Sequence, residues 1–245
     1  MRFISMTSLD GVTERLFTLG EIPGVLWTPE DAHGARPLIL MGHGGGQHKK
    51  APGLTARARR FAAEGGFAVA AIDMPNHGER PTSEEFDQIA AEYRARAAAG
   101  EDTAELDTAM FRLVVGQAVA EWQAVLTAVL QLDHIGGGPA GYWGVSMGCA
   151  FGMPLVAAEP RVGAAVLGLQ GSPALAGTAA QIIVPVQFLV QWDDELIPRA
   201  RSLALFDAIG SAEKTLHANP GKHSDLPQFE TDNSLRFFAR QLADT

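Results

Sequence analysis

A serine with a glycine two residues to either side, in Gly144-Val145-Ser146-Met147-Gly148, is the pattern of a nucleophile carried on a tight turn. The apolar run GYWGV precedes it and the helical stretch MGCAFGMPLVAAEP follows, so Ser146 falls between a predicted strand and a predicted helix. Such a turn strains the serine backbone, and only small neighbours let strand and helix come close. The first amide of the helix, that of Met147, then points at the site and can donate to a developing oxyanion. The plainer alternative is a Ser/Gly loop without chemistry, against which the strand-turn-helix placement weighs.

A serine hydroxyl needs a base to take its proton and an acid to orient that base. Where the nucleophile sits on a strand-to-helix elbow, acid and then histidine follow it in the chain. Of the seven histidines only His217 and His223 do so. His223 lies in the Gly/Pro-rich loop ANPGKHSDLP and is the preferred base; His217, inside the predicted strand KTLHA, reads as a packed strand residue. For the acid, Asp193, Asp194 and Glu195 stand together after the buried run PVQFLVQW, while the loop LQGSPALAG after the preceding strand has no carboxylate. The three could equally form a solvated turn.

The second oxyanion donor should come from GHGGG (42–46), where glycines let the backbone approach the substrate; Gly45 is the first choice and Gly44 the second. Neither the GHGGGQHKK loop nor its surroundings have the spacing of a phosphate-binding glycine motif. His43 with His48, or His77 with Asp73, would be metal ligands only as isolated pairs, without zinc-type spacing, and neither metal nor cofactor is expected.

The elements that must position these groups alternate. The opening stretch through Pro37 reads as short antiparallel edge strands with turns, and PLILMGHGGG (37–46) and FAVAAIDMP (67–75) as buried parallel strands. Between them, GLTARARRFAAEGG (53–66) is a helix closed by paired glycines. A charged helix is predicted over 82–102 behind a Thr/Ser cap, then a long helix over 103–132. Strands at 141–145, 162–170, 185–192 and KTLHA alternate with further helices, ending in NSLRFFARQLA. The pattern implies a mainly parallel sheet with helices on both faces and a ligand site at the carboxyl ends of the strands.

With 245 residues, 47% hydrophobic and 19% charged, the chain can bury a full core as one domain, 1–245. A net charge of −9 disfavours nucleic acid or an anionic membrane as partner, and His48-Lys49-Lys50 is too short a basic cluster to reverse that. The single cysteine, Cys149, allows no internal disulfide, and the amino terminus has no apolar secretion core; a soluble, unsecreted, cytoplasmic protein is expected.

On these residues the chain resembles the α/β-hydrolase superfamily: GHGGG, DMPNHGER, GVSMG, DDELIP and the late GKH occur in that family's order across essentially the whole chain. The resemblance implies a central sheet of about eight mainly parallel strands flanked by helices. It matches His43 and Gly44 to the histidine and glycine that follow the oxyanion strand, and Asp73 and Gly78 to a family motif from which Glu79 and Arg80 depart. It also selects Asp194, four residues before Pro198, as the acid, with Gln191 where relatives have glycine. Size and element order are similar to the dienelactone-hydrolase-like and small carboxylesterase branches. Dienelactone hydrolases proper carry cysteine at the apex that Ser146 occupies here, and Cys149 reads as a small packed residue.

The expectation is therefore a serine esterase using Ser146, His223 and Asp194, with the Gly45 (or Gly44) and Met147 amides at the substrate oxyanion. The substrate is a small, largely apolar ester, lactone or thioester, with Met74, Met147, Met153 and Trp192 the nearest apolar candidates. Amide cleavage or acyl transfer on the same groups, and ligand binding without turnover, are the alternatives. The helix over 82–102 reads either as a small lid or as a solvated helix.

Overall fold

A computed structural model describes residues 1–30 and 34–242. Positions 31–33, inside the opening turn-rich stretch, and 243–245 lie outside the described residues. Among the described residues nine strands form one sheet in the order β1-β2-β3-β5-β4-β6-β7-β8-β9. β1 (Arg2–Leu9), β2 (Val12–Leu19) and β3 (Ile22–Pro29) are antiparallel, as is the β3/β5 pairing, and every pairing from β5 onward is parallel. That is one strand more than expected from the sequence. β3 also differs from the expected edge strand: buried along nearly its whole length, it sits inside the sheet between β2 and β5.

The parallel strands β4 (Leu38–Gly42), β5 (Ala68–Ile72), β6 (Ala140–Val145), β7 (Val162–Gly168) and β8 (Val186–Gln191) are apolar on both faces because both faces are covered. Leu40, Ala70 and Tyr142 join the core beneath α3 (Ala104–Val129) and α4 (Met147–Ala158). Their alternates Ile39, Val69 and Trp143 join the core beneath α1 (Pro52–Gly65) and α7 (Phe229–Leu242). β9 (Lys214–Asn219) is the far edge, with α6 (Arg199–Ala208) between β8 and β9.

Helix α1 starts at Pro52, whose fixed φ suits a first helical position, and ends on Gly66 in the left-handed conformation (φ 69°). The polar helix α2 (Glu84–Ala98) is capped by Ser83, whose hydroxyl accepts from the Phe86 amide. It is shorter than the predicted 82–102, since Gly100 and the segment after Ala98 turn the chain toward α3. The closing helix begins at Phe229, four residues ahead of the predicted start. A short α5 (Ala176–Ala179) was not anticipated. Within the described residues no helix is long and apolar enough to cross a membrane.

Candidate active site

Four loops meet where β4, β6, β8 and β9 end, the edge at which a parallel sheet offers its ligand site. Ser146, between β6 and α4, has φ 56° and ψ −123°, a conformation unfavourable for any side-chain-bearing residue. Packing on both sides enforces it. A Cβ on Gly144 would lie 2.6 Å from the Gly148 carbonyl oxygen, and one on Gly148 would lie 2.7 Å from that of Gly42. The alternating glycines thus let strand, helix and the neighbouring strand β4 come into backbone contact. Tyr142 donates its hydroxyl to the Gly148 carbonyl (2.6 Å), and the Ser146 amide donates to Gly168 (2.9 Å).

The Ser146 Oγ lies 2.9 Å from His223 Nε2, and His223 Nδ1 lies 2.7 Å from Asp194 Oδ2. The Asp194 carboxylate is 2% exposed, and its other oxygen accepts from the Leu196 and Ile197 amides, each at 2.8 Å. Burial works against its ionisation, but His223 and those amides outweigh it and hold the carboxyl below the usual aspartate range. All three adjacent carboxylates engage the histidine loop. Asp193 exchanges backbone and side-chain contacts with Gly221, and Glu195 accepts from the His223 amide at 2.9 Å. Gln191, at the family's glycine position, donates to the carbonyls of Pro220 and Lys222 (3.3 and 3.2 Å), so its amide ties β8 to the loop bearing His223.

Gly45 lies against the Met147 side chain and shares a cavity with Ser146 and His223. Gly44 is turned into its own loop, its carbonyl accepting from the Gln47 amide (3.2 Å) and from His43 Nδ1 (2.9 Å). His217 is elsewhere: it pairs with the buried carboxylate of Glu230 on α7 at 2.9 Å. Cys149 is fully buried, and burial pushes its thiol up to about 12, so it is an inert packed group.

No protein-family model matches the chain, and no curated protein sequence does. Among solved structures, a cold-adapted esterase from an Arctic intertidal metagenomic library, bound to PEG, is 33% identical, with a TM-score of 0.79 over 99% of this chain and 100% of that one. The chain belongs to the α/β-hydrolase esterases. The acetyl xylan esterase from Paenibacillus sp. R4 (13% identity, TM-score 0.70, 98% of this chain and 88% of that one) shares the fold. So does the Pyrococcus furiosus esterase Pf2001 (12%, 0.66, 98% and 92%).

The esterase braces its glycine loop from behind. His43 is 1% exposed; its Nε2 accepts from the Met74 amide (3.1 Å), which leaves the proton on Nδ1 to donate to Gly44. Burial foremost, with the charge of His77 adding, lowers its pKa to about 4, so the ring is neutral at ordinary pH. At the loop's other end the buried Asp73 accepts from the Lys49 amide (2.8 Å), the Lys49 ammonium (2.7 Å) and the Glu79 amide (3.0 Å). Glu79 also pairs with Lys49 (2.7 Å), and Arg80 pairs with Glu121 of α3. These are the two positions that depart from the family motif. In the sequence Lys49 looks like part of a solvated basic cluster; it is 3% exposed, and its partner stands 24 residues away, so no local pattern could reveal the pair. Gly78 is forced by the same cluster, since a Cβ there would lie 2.3 Å from Asp73 Oδ2.

The cavity above Ser146 measures about 530 Å³ and is roofed by α2 and α3. Of the apolar candidates only Met147 lines it. Met74 and Met153 are core residues, and Trp192 is 44% exposed beneath the Arg199 guanidinium. Among the described residues no three His, Cys, Asp or Glu side chains gather as metal ligands.

Proposed function

We propose that this esterase hydrolyses carboxylic esters of small, largely apolar acids through an acyl-enzyme on Ser146. Ser146 Oγ attacks the carbonyl carbon while His223 Nε2 takes its proton, and the Asp194 carboxylate stabilises the resulting imidazolium. The Met147 and Gly45 amides receive the oxyanion. Collapse of the tetrahedral adduct expels the alcohol, which leaves with the proton from His223. Water, deprotonated by the same ring, then releases the acid and restores the serine. No metal or cofactor takes part in this sequence.

The single observation that supports the reading best is the unbroken chain from Ser146 Oγ through His223 to Asp194, with contacts of 2.9 and 2.7 Å. We assign 82–102, that is α2 with the short stretches on either side of it, to a small lid on a one-domain enzyme, because none of its residues is buried and it roofs the cavity. A reducing cytoplasm suits the one unpaired cysteine. The test is Ser146→Ala with p-nitrophenyl acetate: turnover should fall at least ~10³-fold with the thermal midpoint nearly unchanged. Turnover close to that of the parent would refute the assignment.

A further inference from the structure

The cavity is not chemically uniform, and its gradient follows the helices that build it. Beside Ser146, on α4, stand Met147 and Phe151, and Phe151 stacks on Phe111 of α3 with ring centroids 5.7 Å apart and planes 21° from parallel. One helical turn back along α3, about 6 Å further from that stack, Asp107 faces the same space. Antiparallel to α3, α2 brings Tyr93 and Arg94 to this far end, about 10 Å along the helix from Phe86 at its start. The Tyr93 hydroxyl lies beside Thr103 and the Asp107 carboxylate; burial first and Asp107 second push its ionisation above the usual phenol range, so it stays a neutral donor. The far end, open to solvent at Arg94 and Asp107, therefore lines the cavity with donors (Arg94, Tyr93) and an acceptor (Asp107), beyond a flat aromatic slot.

The orientation of a bound ester follows from the proton path. His223 must protonate the leaving oxygen, so the alcohol lies on its side of the cavity, where Leu196 and Ile197 stand next to solvent. The acyl chain then runs the opposite way, into the aromatic slot. Resting on the hydrolytic reading above, we propose that the acyl group this enzyme selects carries a planar ring held against Phe111 and Phe151 and a hydroxyl at its far end, bound by Tyr93, Arg94 and Asp107. A hydroxyl can donate to Asp107 and accept from Tyr93 or Arg94, bonds that an unsubstituted ring forgoes.

The experiment compares kcat/KM for the ethyl esters of phenylpropanoic acid, of its para-hydroxy counterpart and of heptanoic acid. The parent enzyme should prefer the hydroxyaryl ester over the phenyl ester by roughly tenfold, and both over the aliphatic ester. In Tyr93→Phe and, separately, Asp107→Asn, the hydroxyaryl-to-phenyl ratio should fall toward one; being a ratio, it cancels any loss of folded enzyme. A ratio near one in the parent, or one that survives both substitutions, would overturn the polar subsite while ongoing hydrolysis left the serine mechanism standing. Failure to cleave any of the esters would instead overturn the hydrolytic reading and the subsite with it.

Discussion

The elbow with its bracing loops and the helix α2 that roofs them are built on opposite terms. Around Ser146 three glycines stand in backbone contact, Asp73 and Lys49 are sealed beneath the glycine loop, and His43 is 1% exposed. Across the cavity α2 buries none of its residues and packs chiefly on α3. The first region spends polar groups in the interior to hold amides and a hydroxyl in place, which is what stabilising a developing charge requires. In the proposed reaction the second would meet the acyl group. On that reading, geometry for the reaction and contact with the acyl group are assigned to separate pieces of chain.

The largest expected effect comes from disturbing the rigid side. In Gly148→Ala the new methyl would press on the Gly42 carbonyl, spreading the elbow from the glycine loop. Losing the alignment of even one oxyanion donor should lower kcat by at least ~10²-fold, read with p-nitrophenyl acetate. Activity near the parent's would show that the contact is soft and that the contrast between the two regions is overstated.

Next comes the brace at His43. The folded pKa of about 4 lies below the ordinary 6.5, so the unfolded chain binds a proton that the folded one refuses. Stability from this group is whole above pH 6.5 and is lost as the pH falls toward about 4, by roughly 3 kcal/mol. Below that, a protonated Nε2 would face the Met74 amide donor to donor. Thermal melts of the parent and of His43→Asn across this window should converge as the pH drops; parallel curves would mean that the imidazole is not held neutral.

On the yielding side the expected effect is smallest. Phe86, on the inner face of α2, meets His77 edge to face at 5.6 Å. Phe86→Ala should cost about 1 kcal/mol of stability or less, yet change the preference among acyl chains. A large fall in the melting midpoint would make α2 part of the frame and remove the distinction drawn above.

What could be read from the sequence follows the same division. Gly144, Ser146 and Gly148 were legible because the steric demand of an elbow is local, and chain order left only two histidines to weigh. The acid was less so: residue types could not separate Asp193, Asp194 and Glu195, and only the family spacing to Pro198 pointed to Asp194. The three are neighbours in one structure that grips the 221–223 loop, which explains why their types alone did not distinguish them. Lys49 with Asp73, and Gln191 with the histidine loop, join residues far apart in sequence and leave no local signal. The interior place of β3 was missed for a related reason, since its neighbours β2 and β5 are fixed by sheet order and not by its own pattern.

The central claim is that the hydroxyl of Ser146 is made nucleophilic by His223. Intact-mass and peptide mapping after brief exposure to a fluorophosphonate test it most directly. A single adduct on Ser146 in the parent, formed at least ~10²-fold more slowly in His223→Ala, is the expected result. An adduct on another residue, or labelling of Ser146 that is indifferent to the loss of the imidazole, would contradict it.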